Sequence, residues 1–143
     1  MNVYVGTSGY SYKEWKGKFY PEELSAKQML HFYGERFRAV EINNTFYRMP
    51  KSSVLEGWAA EVPADFKFIL KCPQRITHMQ RLKDAGDSLA YFLKVAGVLN
   101  ERLGPLLFQL PPFLKKDVPR LRDFLALLPK SCRALPLCKL WRQ

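Results

Sequence analysis

Apolar residues along this chain fall in two rhythms that alternate. Short runs with a period of two read as strands, and longer stretches with a period near 3.6 read as helices. Asn2 to Gly6 alternates and stops at a glycine. Ala39 to Asn43, Phe66 to Lys71 and Leu106 to Leu110 are the other strand candidates, the last closed by Pro111 and Pro112. A helix is predicted from Ser25, with Gln28 completing a capping box and Met29, Leu30, Tyr33 and Phe37 on its apolar face. Ser53 and Glu56 repeat the capping pattern before Val54, Leu55, Trp58, Ala59 and Val62. Asp87 opens a third helix with Leu89, Phe92, Leu93, Ala96 and Leu99, and Gly104 marks its end. Asp117 caps a fourth, with Val118, Leu121, Phe124, Leu125 and Leu128 on one side and Pro119 in its first turn.

Four strand–helix units in a row predict an α/β fold of parallel (β/α) units. A doubly wound open sheet and a (β/α)8 barrel both fit that alternation. Side-chain parity separates them. Val40 and Ile42 oppose Glu41 and Asn43; Phe66, Phe68 and Leu70 oppose Lys67, Ile69 and Lys71; Leu106, Phe108 and Leu110 oppose Leu107 and Gln109. In the first strand Val3, Val5 and Thr7 oppose Tyr4, Gly6 and Ser8. One set suits a cover of helices. The other turns polar toward the strand ends, unlike a sheet buried on both faces. It suits a barrel interior whose upper layer is a site. A full barrel takes about 250 residues, so 143 residues make about half of a TIM-like (β/α)8 barrel, with four strands and four helices.

Val40 to Pro50, VEINNTFYRMP, is the most informative stretch. A carboxylate in a short apolar strand needs a partner or a purpose. Hydrogen-bonding groups gathered just past a strand's C-terminal end stand where α/β proteins place their sites. By parity Ser8, Glu41, Asn43, Lys71 and Gln109 converge there, with Glu41 and Lys71 expected to pair. Glu41 is the candidate acid/base, or else half of a structural ion pair. Asn43, Asn44 and Thr45 are candidates to orient a polar ligand, or else turn and capping residues. Arg48, next to Tyr47, is placed to clamp a carboxylate or phosphate.

Charge changes the picture for the second half of the chain. The net charge is +10. Residues 1–70 hold 9 Lys/Arg and 8 Asp/Glu, whereas residues 71–143 hold 14 and 5. A basic half can meet a phosphate-bearing small molecule or nucleic acid; the alternative is a solvated basic surface. Lys71, Arg75, Thr77, His78 and Arg81 form the densest cationic group, and His78 could move protons near neutral pH. In the loop after strand one, Tyr10, Tyr12, Trp15, Phe19 and Tyr20 alternate with Lys13, Lys16 and Lys18. Such aromatics either stack on rings of a ligand or pack the loop over the barrel mouth.

Composition excludes several classes. Apolar residues at 48% and charged residues at 25% suit a soluble globular domain, and no apolar run nears the roughly 20 residues of a membrane span. No basic segment followed by an apolar core opens the chain, so no signal peptide and a cytoplasmic location are expected. Cys72, Cys132 and Cys138 lack CxxC spacing and read as idle thiols. GxGxxG, Walker, HxH and HExxH motifs are absent, so no metal ligands are assigned and the cofactor stays unknown.

Five segments in order carry a family resemblance: Val5–Pro21 (VGTSGYSYKEWKGKFYP), Val40–Pro50, Phe66–His78 (FKFILKCPQRITH), Arg81–Leu82 and Leu103–Pro112 (LGPLLFQLPP). The chain resembles the N-terminal part of domain of unknown function 72, the YecE-like family. The resemblance implies a TIM-barrel-like fold of bacterial cytoplasmic type, in a family whose biochemical activity is not established. In shape the family is similar to metal-dependent endonuclease and sugar-isomerase barrels, hydrolase-like or isomerase-like by analogy of fold alone. The resemblance covers residues 1–129. Residues 130–143 diverge where a fifth strand is expected, implying a truncated half barrel. Its two unpaired sheet edges then invite self-association. Three functions fit: a barrel binding or processing a phosphate-bearing ligand at its mouth, a polyanion-binding module without chemistry, or an inactive remnant.

Overall fold

The computed structural model describes residues 3–129. Its strands are β1 (Gly6–Ser8), β2 (Ala39–Ile42), β3 (Lys67–Lys71) and β4 (Leu103–Leu107). They form one parallel sheet in the order β1-β2-β3-β4. A doubly wound sheet reverses its strand order at a switch point. This sheet does not, and sequential parallel order is that of a TIM-like barrel, here four strands of one. The helices that follow the strands are α1 (Met29–Gly34), α3 (Ser52–Glu61), α4 (Gly86–Ala96) and α5 (Val118–Ala126). A single turn, α2 (Asn44–Tyr47), adds to the expected set directly after β2.

The parity expected of the strands holds in β2 and β3. Val40, Ile42, Phe66, Phe68, Leu70 and Leu106 are buried against the helices with Leu30, Leu55, Leu89, Phe92 and Phe124. Glu41, Lys67, Ile69 and Lys71 face the other way and are half-buried. The Ser25–Gln28 capping box is present. Asp117 caps α5 by accepting from Arg120 N at 3.0 Å, and Val118 and Leu125 on that helix are exposed.

Boundaries differ where local signals mislead. Strand one was expected over Asn2–Gly6 but spans Gly6–Ser8. β2 begins at Ala39, level with Gly6, so Val3 to Val5 precede the ladder and are exposed. The fourth strand was expected over Leu106–Leu110 and spans Leu103–Leu107. Gly104 reads as the end of a helix, yet it lies in β4 with Pro105 beside it; β4 bonds only to β3 among the described strands, and an edge strand tolerates a proline. The Ser53–Glu56 capping box is not formed: α3 starts at Ser52, with Lys51 at its cap and no side-chain cap bond. Asp87 lies in the first turn of α4, which opens at Gly86.

Two contacts fix β1 against β2, and thereby Ser8 against Glu41. Any Cβ on Gly6 would lie 1.8 Å from the Ala39 carbonyl oxygen. Tyr33, buried on α1, accepts from Thr7 N at 2.8 Å and donates to Ala39 O at 2.9 Å. Burial raises the pKa of that phenol against the bonds from Thr7, so it stays a donor at neutral pH.

Candidate functional site

At the C-terminal ends of β1 and β2 the inner-face side chains bond to one another. Asn43 Nδ2 donates to Ser8 Oγ at 2.6 Å, and Ser8 Oγ donates to Glu41 Oε1 at 3.3 Å. The pleat causes this: Ser8 is level with Glu41 in the ladder, and both project from the same face. Tyr12 closes the loop above by donating from its hydroxyl to Ser8 O.

The expected Glu41–Lys71 ion pair is not formed. Glu41 is level with Ile69, two residues short of Lys71 on the neighbouring strand. Lys71 Nζ instead lies 4.9 Å from the centroid of the Phe46 ring. A desolvated ammonium over an aromatic face is favourable by about 0.5–2 kcal/mol. His78 meets the same ring edge to face at 4.9 Å and holds Thr77 Oγ1 at 2.9 Å through Nδ1. Burial, and after it the charge of Lys71, lowers the His78 pKa from its ordinary 6.5. Neutral imidazole is therefore the form at pH 7. Phe46 joins Lys71 to His78, a role that no pattern in the sequence marks; the one-turn helix α2 delivers it.

The other candidates divide. Thr45 is fully buried, its hydroxyl 2.9 Å from Ile42 O and 2.7 Å from Lys71 O. It ties the ends of β2 and β3 together and is unavailable to a ligand, a correction to the ligand role expected of it. Tyr10, Tyr12, Asn43 and Asn44 line a cleft of about 150 Å³ with Gly9, Ser11, Ile42 and Trp58. Trp58 was expected only as core. Tyr20 donates to Tyr10 O at 2.5 Å, and Trp15, Phe19 and Tyr20 pack edge to face beneath the loop. Burial, with the charge of Glu61, raises the Tyr10 pKa. Tyr47, Arg48 and Arg75 are exposed. Gln109 lies two residues past β4, outside the bonded group. Cys72 is buried, and burial pushes its thiol pKa up; Cys132 and Cys138 lie outside the described residues, as does the divergent segment 130–143.

Residues 75–84 carry a further signal that sequence reasoning missed. Arg75–Met79 forms a π-helix, a rare geometry frequent at functional sites. Arg81, Leu82 and Asp84 follow at φ 50°, 68° and 50°. Non-glycine residues held at such angles cost about 1–3 kcal/mol each. Leu82 is buried, and its N–H reaches Ile76 O at 3.0 Å, so packing holds the loop in place.

Residues 4–137 match the family described as "Protein of unknown function DUF72". The chain belongs to this family. It is 32% identical over 128 residues to the UPF0759 protein YecE of Escherichia coli K12, covering 89% of this chain and 44% of that one. It is 30% identical to the UPF0759 protein YunF of Bacillus subtilis 168, covering 84% and 45%. The chain thus spans about half the length of these relatives. A DUF72 family protein from Thermotoga maritima superposes with TM-score 0.71 at 34% identity, covering 85% of this chain and 51% of its own. A second, from Enterococcus faecalis, gives TM-score 0.65 at 21% identity and speaks to the fold alone. DUF72 membership therefore agrees with the half barrel read from strand order. Among the described residues no helix is long and apolar enough to cross a membrane.

Proposed function

We propose that the C-terminal mouth of this half barrel binds a phosphate-bearing ligand, with Glu41 as the acid/base of any reaction performed on it. One observation carries the reading. Glu41 is held by Ser8 at a strand end and pairs with no cation among the described residues. Lys71 stands two residues further along the next strand with no carboxylate partner among the described residues. A carboxylate and an ammonium on one face of the sheet, offset so that neither neutralises the other, suit proton transfer and anion binding together. Asn43 and Ser8 orient the carboxylate, and neutral His78 can accept a proton.

Paired variants of this chain test it. Titration of a nucleoside phosphate at low salt should weaken about tenfold in Lys71→Gln, the loss of one charge-assisted bond. Glu41→Gln removes a negative charge and should leave that binding equal or tighter, while abolishing turnover. Turnover unchanged in Glu41→Gln removes the catalytic role; binding unchanged in Lys71→Gln removes the anion role.

The excess of cations in residues 71–143 favours one alternative, a polyanion-binding module without chemistry. Its signature is a salt slope of about −0.9 per contacted phosphate on duplex DNA, unaltered by Glu41→Gln.

A further inference from the structure

A cavity larger than the cleft beside Tyr10 and Asn43 lies away from Glu41. It is an open cleft of about 600 Å³ between the strained loop after β3 and the segment leading from β4 into α5. Arg81 enters from the first side; Phe113, Lys115, Lys116, Asp117 and Arg120 line the second. Four cations thus face a single carboxylate. That carboxylate is already committed, since Asp117 accepts from Arg120 N through Oδ1 at 3.0 Å and meets Arg120 Nε through Oδ2 at 3.1 Å. Neither Lys115 nor Lys116 has an acidic partner among the described residues.

The backbone under Arg81 is the second observation. A tight turn at positive φ ordinarily selects glycine or asparagine. Here Arg81 and Leu82 both adopt it. Leu82 turns into the core, and Arg81 turns out over the ring of Phe113, its guanidinium carbon 5.4 Å from the centroid. Strain of this kind persists where the surrounding structure enforces it, and it collects at ligand clamps. Phe113 is 67% exposed, so the held backbone presents a guanidinium beside an accessible aromatic ring.

We infer that this cleft is a nucleotide subsite: Arg81, Lys115 and Lys116 hold a phosphate group, and Phe113 stacks the base. A fork of guanidinium donors matches phosphate oxygens, and an aromatic ring accepts any base face. The shared chemistry, a phosphate next to a planar ring, belongs both to a free nucleotide and to one unit of a single-stranded nucleic acid. The subsite is separate from Glu41 and does not require it to be catalytic.

Calorimetric titration of the full chain at low salt, with ADP, adenosine, inorganic phosphate and a short single-stranded oligonucleotide, tests the inference. Arg81→Asn keeps a residue at ease with positive φ and should weaken ADP and phosphate about tenfold. Lys115→Gln with Lys116→Gln does the same without touching the strained loop. Phe113→Leu should weaken ADP severalfold and leave inorganic phosphate unchanged. An oligonucleotide that binds far more tightly than ADP, and still depends on Arg81, identifies nucleic acid as the source; ADP alone identifies the free nucleotide. The inference is overturned if neither ADP nor phosphate binds, or if binding survives both Arg81→Asn and the double lysine variant. Binding lost only in Lys71→Gln places the ligand at the mouth and sinks the cleft while leaving the function proposed above intact.

Discussion

At the ends of β1 and β2 polar side chains satisfy one another, whereas past the ends of β3 and β4 Lys71, Arg81, Lys115 and Lys116 have no carboxylate partner among the described residues, and the backbone is irregular. Ser8, Glu41 and Asn43 are joined by hydrogen bonds on a regular ladder. Lys71, His78 and Arg81 each lie against an aromatic ring instead, Phe46 for the first two and Phe113 for the third. The first end is pre-organised by ordinary strand geometry, so its side chains need no strain to meet. The second holds cations apart from anions, and a π-helix and three left-handed residues shape it. Acid/base chemistry needs the former kind of order, and anion capture needs the latter kind of unneutralised charge.

The largest effect should come from breaking the approach that builds the first end. Gly6→Ala sets a Cβ against the Ala39 carbonyl, and a backbone oxygen cannot rotate away. The strands must separate, at about 3 kcal/mol or more. Urea unfolding should show a much lower midpoint, with Ser8 no longer held on Glu41. A variant as stable as the parent would mean that β1 is not docked at all.

Tyr33→Phe comes next. It keeps the ring and its packing but leaves the half-buried Thr7 N–H and the buried Ala39 carbonyl without their hydroxyl partner, a loss of about 1–3 kcal/mol. The same melts should fall between those of the parent and of Gly6→Ala, with nucleotide binding in the β3–β4 cleft unchanged. Loss of that binding at equal occupancy of the folded state would show that the two ends are not separable.

Thr45→Val sharpens the comparison at the seam. Its hydroxyl serves carbonyls of both β2 and β3, so the isosteric change should cost about 1–2 kcal/mol of stability. Affinity measured well below the melting temperature should not move. A variant of unchanged stability and weakened ligand binding would return Thr45 to the set of ligand-binding residues.

Much of the first end was legible in the sequence, and little of the second. Period-two parity puts Ser8, Glu41 and Asn43 on one face because a regular strand leaves a side chain no other choice. The helix-facing core and the choice of a barrel over an open sheet follow from the same rule. Glu41 and Lys71 share that face too, but parity gives no height along the strand, and the two-residue offset places them out of ion-pair reach. Thr45 and Phe46 were misread or missed because a single helical turn after β2 reverses the direction of both side chains. Arg81 and Leu82 stand in no turn signature: tertiary packing, chiefly of Leu82, holds them where glycine is expected. Edges were misjudged for a related reason. Gly104 looks like a breaker, yet an edge strand asks less of its residues than a central one.

The smallest effect probes the charge around His78. Its pKa lies below the ordinary 6.5, through burial first and Lys71 second. Lys71→Gln removes only the second cause, so the His78 titration followed by NMR should move upward and stop short of 6.5. Linkage then fixes the sign of its effect on stability. With a folded pKa below the unfolded one, the unfolded chain takes up the proton first as pH falls. His78 therefore costs nothing above pH 6.5 and destabilises the fold as pH drops through that value toward its folded pKa. Lys71→Gln should flatten that part of the stability profile, and His78→Gln should remove its contribution. A His78 pKa unmoved by Lys71→Gln would mean that the ammonium over Phe46 is screened from the imidazole on the same ring. The second end would then be a set of separate charges rather than one cationic field.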